Sequence, residues 1–241
     1  MDIFANTQRP DPALLYHRGD VNDVRLGETV RVDPADYAAA EVVLLGLPQD
    51  EGVRRNQGRL GAGAAPDAIR ASLYKLVALE HVRLFDIGNT IIQPTLEDTH
   101  ALHQSIARQI IRDGKTLLVL GGGNDTSYPD CSALALEMNG QIAAFNIDAH
   151  FDVRADAIRN SGTPYRQLLD EGHVAPGSFY EIGYQPFANS ATYVRYLADK
   201  GVTAISRDEV GERGIGAVLR DILGQSRADA IFWGLDMDVV T

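Results

Sequence analysis

A chain of 241 residues, 45% hydrophobic and 23% charged, has the composition of a globular protein with a sizeable core, which excludes wholesale disorder. Its net charge of −11 argues against a nucleic-acid partner, since phosphates demand a basic face, and no apolar run reaches membrane-spanning length. The single Cys131 excludes a disulfide framework within the chain and fits a reducing compartment.

Met1-Asp2-Ile3-Phe4 lacks the basic-then-apolar opening of a signal peptide, so a cytoplasmic protein is expected, free of nucleic-acid and membrane partners. The length favours one domain, residues 1–241, over two. Residues 1–40, with Pro10, Pro12, Gly19, Gly27 and Pro34, read as an irregular lead-in. Val42 to Leu47 then forms a short apolar run closed by Gly46 and Pro48, the pattern of a buried parallel strand. The Gly-rich stretch from Gly52 to Pro66 precedes a predicted helix that places Ile69, Leu73, Leu76 and Val77 on one face. Such a loop can cradle a phosphate, but its spacing matches no Walker loop and the Lys-Ser/Thr pair is missing, so phosphate binding is not expected.

A strand over Val82–Gly88, a helix over Leu96–Asp113 stopped by Gly114, and a strand over Lys115–Leu120 follow. The last runs into Gly121-Gly122-Gly123-Asn124-Asp125. Glycines at the carboxyl end of a strand let backbone approach a ligand closely, with a mobile turn as the plainer alternative. A helix near Pro129–Met138 leads to the apolar run Ile142–Phe145. Asn160-Ser161-Gly162-Thr163-Pro164 reads as a turn whose Ser161 and Thr163 hydroxyls either contact a substrate or bond their own backbone. Strands over Ser178–Gly183 and Val202–Ile205, helices over Thr192–Lys200 and Ile215–Leu223, and a last strand over Asp229–Leu235 complete the alternation. Strand and helix alternate throughout, which predicts an α/β fold with a mostly parallel sheet covered on both faces by helices.

Two strand ends stand out. Ile142-Ala143-Ala144-Phe145 feeds into Asn146-Ile147-Asp148-Ala149-His150-Phe151-Asp152-Val153-Arg154, and the last strand delivers Asp236 and Asp238. In extended chain, side chains two apart share a side, so Asp148, His150 and Asp152 converge if the strand geometry persists. Carboxylates with an imidazole suit a hard-to-borderline divalent ion such as Mn(II); a polar loop of capping Asp and His residues is the alternative for that stretch alone. Adding Asp236 and Asp238, with Asn124 on a third strand end, makes a site whose carboxylates would repel one another without cations. Two ions with bridging Asp residues and a shared water resolve that repulsion and give a hydroxide nucleophile near neutral pH.

These three motifs, in this order and at similar spacing, resemble those of the ureohydrolases, the family of arginase, agmatinase and formimidoylglutamase. The resemblance covers about Val42 to Thr241. It implies a three-layer α/β/α sandwich, two Mn(II) ions per chain, hydrolysis of an amidine or guanidine C–N bond and a homo-oligomer. Phe151-Asp152-Val153-Arg154, Asn160 to Gln167 and Gln185-Pro186-Phe187-Ala188-Asn189 are most similar to the formimidoylglutamase branch, which cleaves N-formimidoyl-L-glutamate to glutamate and formamide in histidine degradation. Carried over, Asp148 and Asp236 bridge the ions, Asp152 serves one, and His150 and Asp238 serve the other; Asp148, His150 and Asp152 are the catalytic set. Arg154 stands near the place of the substrate carboxylate, which a guanidinium grips by paired hydrogen bonds, and a partner role to the metal carboxylates is its alternative.

Two departures matter. Asn124 replaces a His common in the family, and a neutral amide oxygen is a weaker ligand than imidazole, so one metal position is expected to be labile. Ser161 falls near the place where arginases keep a proton-shuttling His. The chain also stops three residues after Asp238, where family members continue, so a missing C-terminal part and an uncovered apolar face are expected. A guanidino-acid, agmatine or arginine hydrolase, and a non-catalytic metal-binding subunit, remain the alternative readings.

Overall fold

The computed structural model describes residues 1–240, Val240 by its backbone alone. The chain divides into two compact units, Met1–Asp130 and Cys131–Thr241. Each carries its own four-stranded sheet.

In the first unit the elements are β1 (Thr7–Gln8), α1 (Leu26–Thr29), β2 (Val42–Gly46), α2 (Glu51–Arg55), α3 (Ala65–Leu73), β3 (Leu84–Thr90), α4 (Leu96–Arg112) and β4 (Thr116–Leu120). The strand order is β1-β3-β2-β4, with β2 parallel to β3 and β4. The lead-in is largely irregular, yet it supplies the antiparallel edge strand β1, which pairs Thr7 with Thr90. Period-two alternation sends the β2 side chains to both faces of the sheet. Val43 and Leu45 pack with Phe85, Ile87, Ile106 and Ile110 on the α4 side, and Leu44 packs with Leu26, Val30 and Tyr74 on the other.

The apolar face expected past Pro66 is corrected. Helix α3 ends at Leu73, and Leu76 and Val77 are 58% and 62% exposed. The face that α3 buries carries Arg70 instead, fully enclosed and fork-bonded to the equally enclosed Asp86 at 2.7 and 3.0 Å. Its fork also reaches Asn89 and the Gly88 carbonyl, so almost every donor is matched, the condition under which a charge can be buried. The Gly-rich loop uses its amides internally: the Asp50 carboxylate accepts from Gly61 and Gly63 at 3.0 and 2.6 Å.

The triple glycine also has a packing role. A Cβ on Gly122 would lie 2.2 Å from the Gln49 carbonyl oxygen and 2.8 Å from that of Leu47, so the strand end fits there only without a side chain. Helix α5 (Ser127–Glu137) carries the chain into the second unit.

That unit contains β5 (Ile142–Ile147), α6 (Pro164–Asp170), β6 (Phe179–Tyr184), α7 (Ala191–Lys200), β7 (Thr203–Ser206), α8 (Arg207–Arg213), α9 (Ile215–Gln225) and β8 (Ala230–Leu235). All four strands are parallel, in the order β7-β6-β5-β8. Ala143 and Phe145 pack on Val218 and Ile222 of α9, while Phe179 stacks on Tyr165 of α6 at 5.1 Å. Helices α6 and α8 went unpredicted, although Pro164 at the first helical position is a recognised start signal. The last strand, read from the sequence as apolar, is an edge strand among the described residues: Ile231, Trp233 and Leu235 are 39%, 45% and 58% exposed.

Candidate metal centre

Strands β5 and β8 are parallel neighbours, and their register pairs Ile147 with Leu235. Both strands therefore end level, and the next residue on each is an aspartate, Asp148 and Asp236. Neighbouring strands lie ~4.8 Å apart, so the two carboxylates leave the sheet within reach of one ion. The backbone extends the ladder by one step on each side, with Asp148 donating to the Ile182 carbonyl at 3.1 Å and Asp236 to the Ile147 carbonyl at 3.0 Å.

Beyond that point the chain turns. The expectation that Asp148, His150 and Asp152 converge through continued extended geometry is corrected: β5 stops at Ile147, and Asp152 adopts the left-handed conformation with φ +47°. The turn is built by Asp148 itself, whose Oδ1 accepts the His150 amide at 2.7 Å. The same device recurs on β8, where Asp236 Oδ1 accepts the Asp238 amide at 2.9 Å. Asn189 clamps the first turn from outside, accepting from the Phe151 amide and donating to the Ala149 and Gln185 carbonyls, each at 2.9 Å. The 185–189 motif was visible in the sequence, but nothing in composition or spacing told that its asparagine binds the ligand-bearing turn.

Two donor sets result, each with ligand atoms lying within 4.8 Å of one another. One is Asp148, His150 and Asp238; the other is Asp148, Asp152 and Asp236. They share Asp148, whereas Asp236 enters one set alone. His150 Nδ1 meets Asp238 Oδ2 at 2.8 Å and Asp148 Oδ1 at 3.5 Å. Asp148 is 1% exposed. Burial, reinforced by the charges of Asp152 and Asp236, pushes its carboxyl up to about 9, while the His150 amide pulls the other way. Burial raises Asp236 too, with the Asp238 charge adding to it and the Asp238 amide opposing. Carboxylates forced together at such a cost, with one imidazole and no thiolate, are the donor chemistry of a hard divalent pair, so the residues present fit two Mn(II) ions.

The other candidates are placed as follows. Asn124 lies in the first unit, just past β4, where its carboxamide oxygen accepts from the Ser127 hydroxyl at 2.8 Å. Its neighbour Asp125 is buried, and one carboxylate oxygen takes Gln49 Nε2 at 2.6 Å and meets His100 Nε2 at 2.8 Å. Thr163 is buried too. Its hydroxyl accepts from the Asn160 amide and donates to the Asn160 carbonyl, the backbone-bonding alternative of the two read from the sequence. Ser161 is half-buried on the same loop. Arg154 lines a cavity of about 300 Å³ together with Asp156, Arg166, Gln167 and Asp170. Its backbone amide donates to the Gly162 carbonyl at 2.8 Å, and a Cβ on Gly162 would lie 2.6 Å from Arg154 Cδ. The loop thus seats the arginine stem where a side chain would block it.

The arginase family model matches residues 40–241. The chain belongs to the arginase family. It is 32% identical over 214 residues to a formimidoylglutamase of Rhodococcus jostii, a match covering 82% of this chain and 64% of that protein. A formimidoylglutamase of Citrobacter koseri is 34% identical over 246 residues, covering 97% and 77%. Among solved structures, Trypanosoma cruzi formiminoglutamase with Mn2+ superposes with a TM-score of 0.83 at 32% identity, over 90% of this chain and 75% of that one. The chain thus spans under two thirds of the Rhodococcus protein and about three quarters of the Citrobacter one. Its arginase-like α/β fold, with mostly parallel sheets, is that of these formiminoglutamases. Among the described residues no helix is long and apolar enough to cross a membrane.

Proposed function

We propose that this chain hydrolyses the C–N bond of a linear amidine, N-formimidoyl-L-glutamate, to glutamate and formamide, as a step of histidine degradation. The observation that carries this reading is the pair of donor sets meeting at the buried Asp148. In it, Asp148 is shared between two Mn(II) positions. Asp152 and Asp236 hold one, His150 and Asp238 the other, and Asp236 is the second candidate bridge. Asn124 is a further, weaker donor, which leaves one position labile. Two Mn(II) ions, when bound, supply Lewis-acid polarisation and lower the pKa of water toward neutrality.

The protein side chains do the rest. Asp148 takes up and holds a proton when the ions leave, His150 stands 48% exposed where it can meet solvent and substrate, and Arg154 grips a substrate carboxylate. Ser161 contacts the substrate from the loop that Thr163 keeps rigid. Location in the cytoplasm and assembly into a homo-oligomer are part of the same proposal, and the exposed Ile231, Trp233 and Leu235 of β8 support the second.

The test is release of glutamate from formimidoyl-glutamate by the Mn(II)-loaded chain, abolished in Asp148→Ala. Full activity after exhaustive chelation refutes it. A panel with agmatine, arginine and guanidino acids separates the other amidine hydrolases. Fewer than two ions per chain together with no turnover would point to the non-catalytic homologue, the reading favoured by an Asn124 oxygen already bonded to Ser127.

A further inference from the structure

Behind the donor sets, Asn146 of β5 and Glu181 of β6 face each other in register, and neither side chain touches solvent. Asn146 Nδ2 donates to Glu181 Oε2 at 2.9 Å and to the His150 carbonyl at 3.2 Å, and lies 3.5 Å from Asp148 Oδ2. One amide nitrogen therefore ties the sheet to the turn that presents Asp148 and His150. The other oxygen of each side chain, Asn146 Oδ1 and Glu181 Oε1, is buried with no hydrogen-bond partner. An amide oxygen and an ionised carboxylate oxygen are acceptors only, so as a charged residue Glu181 leaves two orphans side by side, at the cost that buried unsatisfied groups carry.

A single proton removes both. On Glu181 Oε1 it makes a donor, and the only other orphaned acceptor on the paired residue is Asn146 Oδ1. We infer that Glu181 is a positioning residue that works as a neutral acid, closing a two-bond ring with Asn146 (Nδ2–H to Oε2, Oε1–H to Oδ1) so that the remaining amide hydrogen points at the His150 carbonyl and Asp148. Burial acts in the same sense, holding the Glu181 carboxyl well above the usual range against the opposing hydrogen bond from Asn146. Neutrality also spares the donor sets one more negative charge behind Asp148. The inference rests on the proposed metal centre for its consequence, since the ring fixes the aim of Asp148 without touching ion or substrate.

The experiment uses the full chain saturated with Mn(II), where Asp148 is ionised. An infrared difference spectrum between parent and the isosteric Glu181→Gln at neutral pD is expected to show a protonated-carboxyl stretch that the variant lacks. Calorimetric Mn(II) affinity is expected to stay within threefold in Glu181→Gln, whose amide reproduces the ring, and to fall tenfold or more in Glu181→Leu. If the chain turns over substrate, the leucine variant should lose kcat with KM changed less than twofold, and glutamine should restore kcat. Absence of the protonated-carboxyl band, a glutamine variant as weak as the leucine one, or two variants that both bind like the parent each overturn the inference. Failure to find any turnover refutes the proposed activity instead, because the infrared and affinity arms need none; the infrared arm also stands if Glu181→Leu does not fold.

Discussion

The metal-free chain should lose stability as pH rises through neutrality. In the folded state Asp148 keeps its proton up to about 9, whereas in the unfolded chain it titrates near the ordinary aspartate value of 3.8. Between pH 6 and 8 Asp148 thus gives the folded state about one more proton than the unfolded state, which lowers stability by about 1.4 kcal/mol per unit. A protonated Glu181 adds to the same trend. The sign follows from the raised folded value: the contribution is complete below about pH 4 and is lost as pH climbs toward 9. Over two units the loss is about 3 kcal/mol, and for a chain of this length each kcal/mol moves Tm by roughly 2–4 °C. Thermal unfolding of chelator-treated protein, followed by circular dichroism, should therefore show Tm dropping by roughly 6–12 °C from pH 6 to pH 8. Saturating Mn(II), which displaces the proton, should flatten or reverse that trend. Asp148→Asn should make the slope shallower by about 1.4 kcal/mol per unit without metal, leaving the share of Glu181. A chelated parent with the same Tm at both pH values, or an Asp148→Asn variant with the parent slope, would refute the reasoning.

Three further substitutions probe other parts of the argument. Gly162→Ala places a methyl carbon 2.6 Å from Arg154 Cδ and should raise KM for a carboxylate-bearing amidine several-fold with little change in kcat, read from initial rates. Asn189→Ala removes three hydrogen bonds around the 149–151 turn, and at about 1 kcal/mol each should cost roughly 2–4 kcal/mol in urea unfolding and weaken Mn(II) binding. Arg70→Met strips the buried Asp86 carboxyl of its cationic partner, which should destabilise the fold by roughly 3–5 kcal/mol in the same measurement.

The strands other than β1 were legible because they are short, mostly apolar runs closed by Gly, Pro or a polar cluster, and the burial of Val43, Leu44 and Phe145 follows from those runs; β1, the polar pair Thr7–Gln8 in the lead-in, was not. The candidate centre was legible for a related reason. Aspartates directly after apolar strands have few structural excuses, and parallel pairing brings the ends of such strands to one edge. What escaped depends on contacts distant in sequence. Arg70 flanks the predicted apolar face of its helix, yet an arginine is a surface residue by type, and its burial is tolerable mainly because Asp86, sixteen residues on, meets it. Leu76 and Val77 continue an apolar spacing past the point where the backbone leaves the helix, so their pattern predicts a face that does not exist.

The local geometry at Asp148 shows why spacing alone was an incomplete guide. Period-two alternation would carry Asp152 in line with Asp148 on an extended strand; the structure reaches a shared donor set by a turn with one left-handed residue. A turn is held less firmly than a sheet, because it has no ladder of its own, and this one is secured by polar side chains instead. Asp148 caps it from within, Asn189 from one side, and Asn146 from the sheet side, backed by Glu181. Apart from Asp148, these clamps are amides and a carboxylate that nothing in the sequence marks for this role. Together they fix the direction of Asp148, so the proton that it holds without metal, and not the path of the turn, is what a cation displaces.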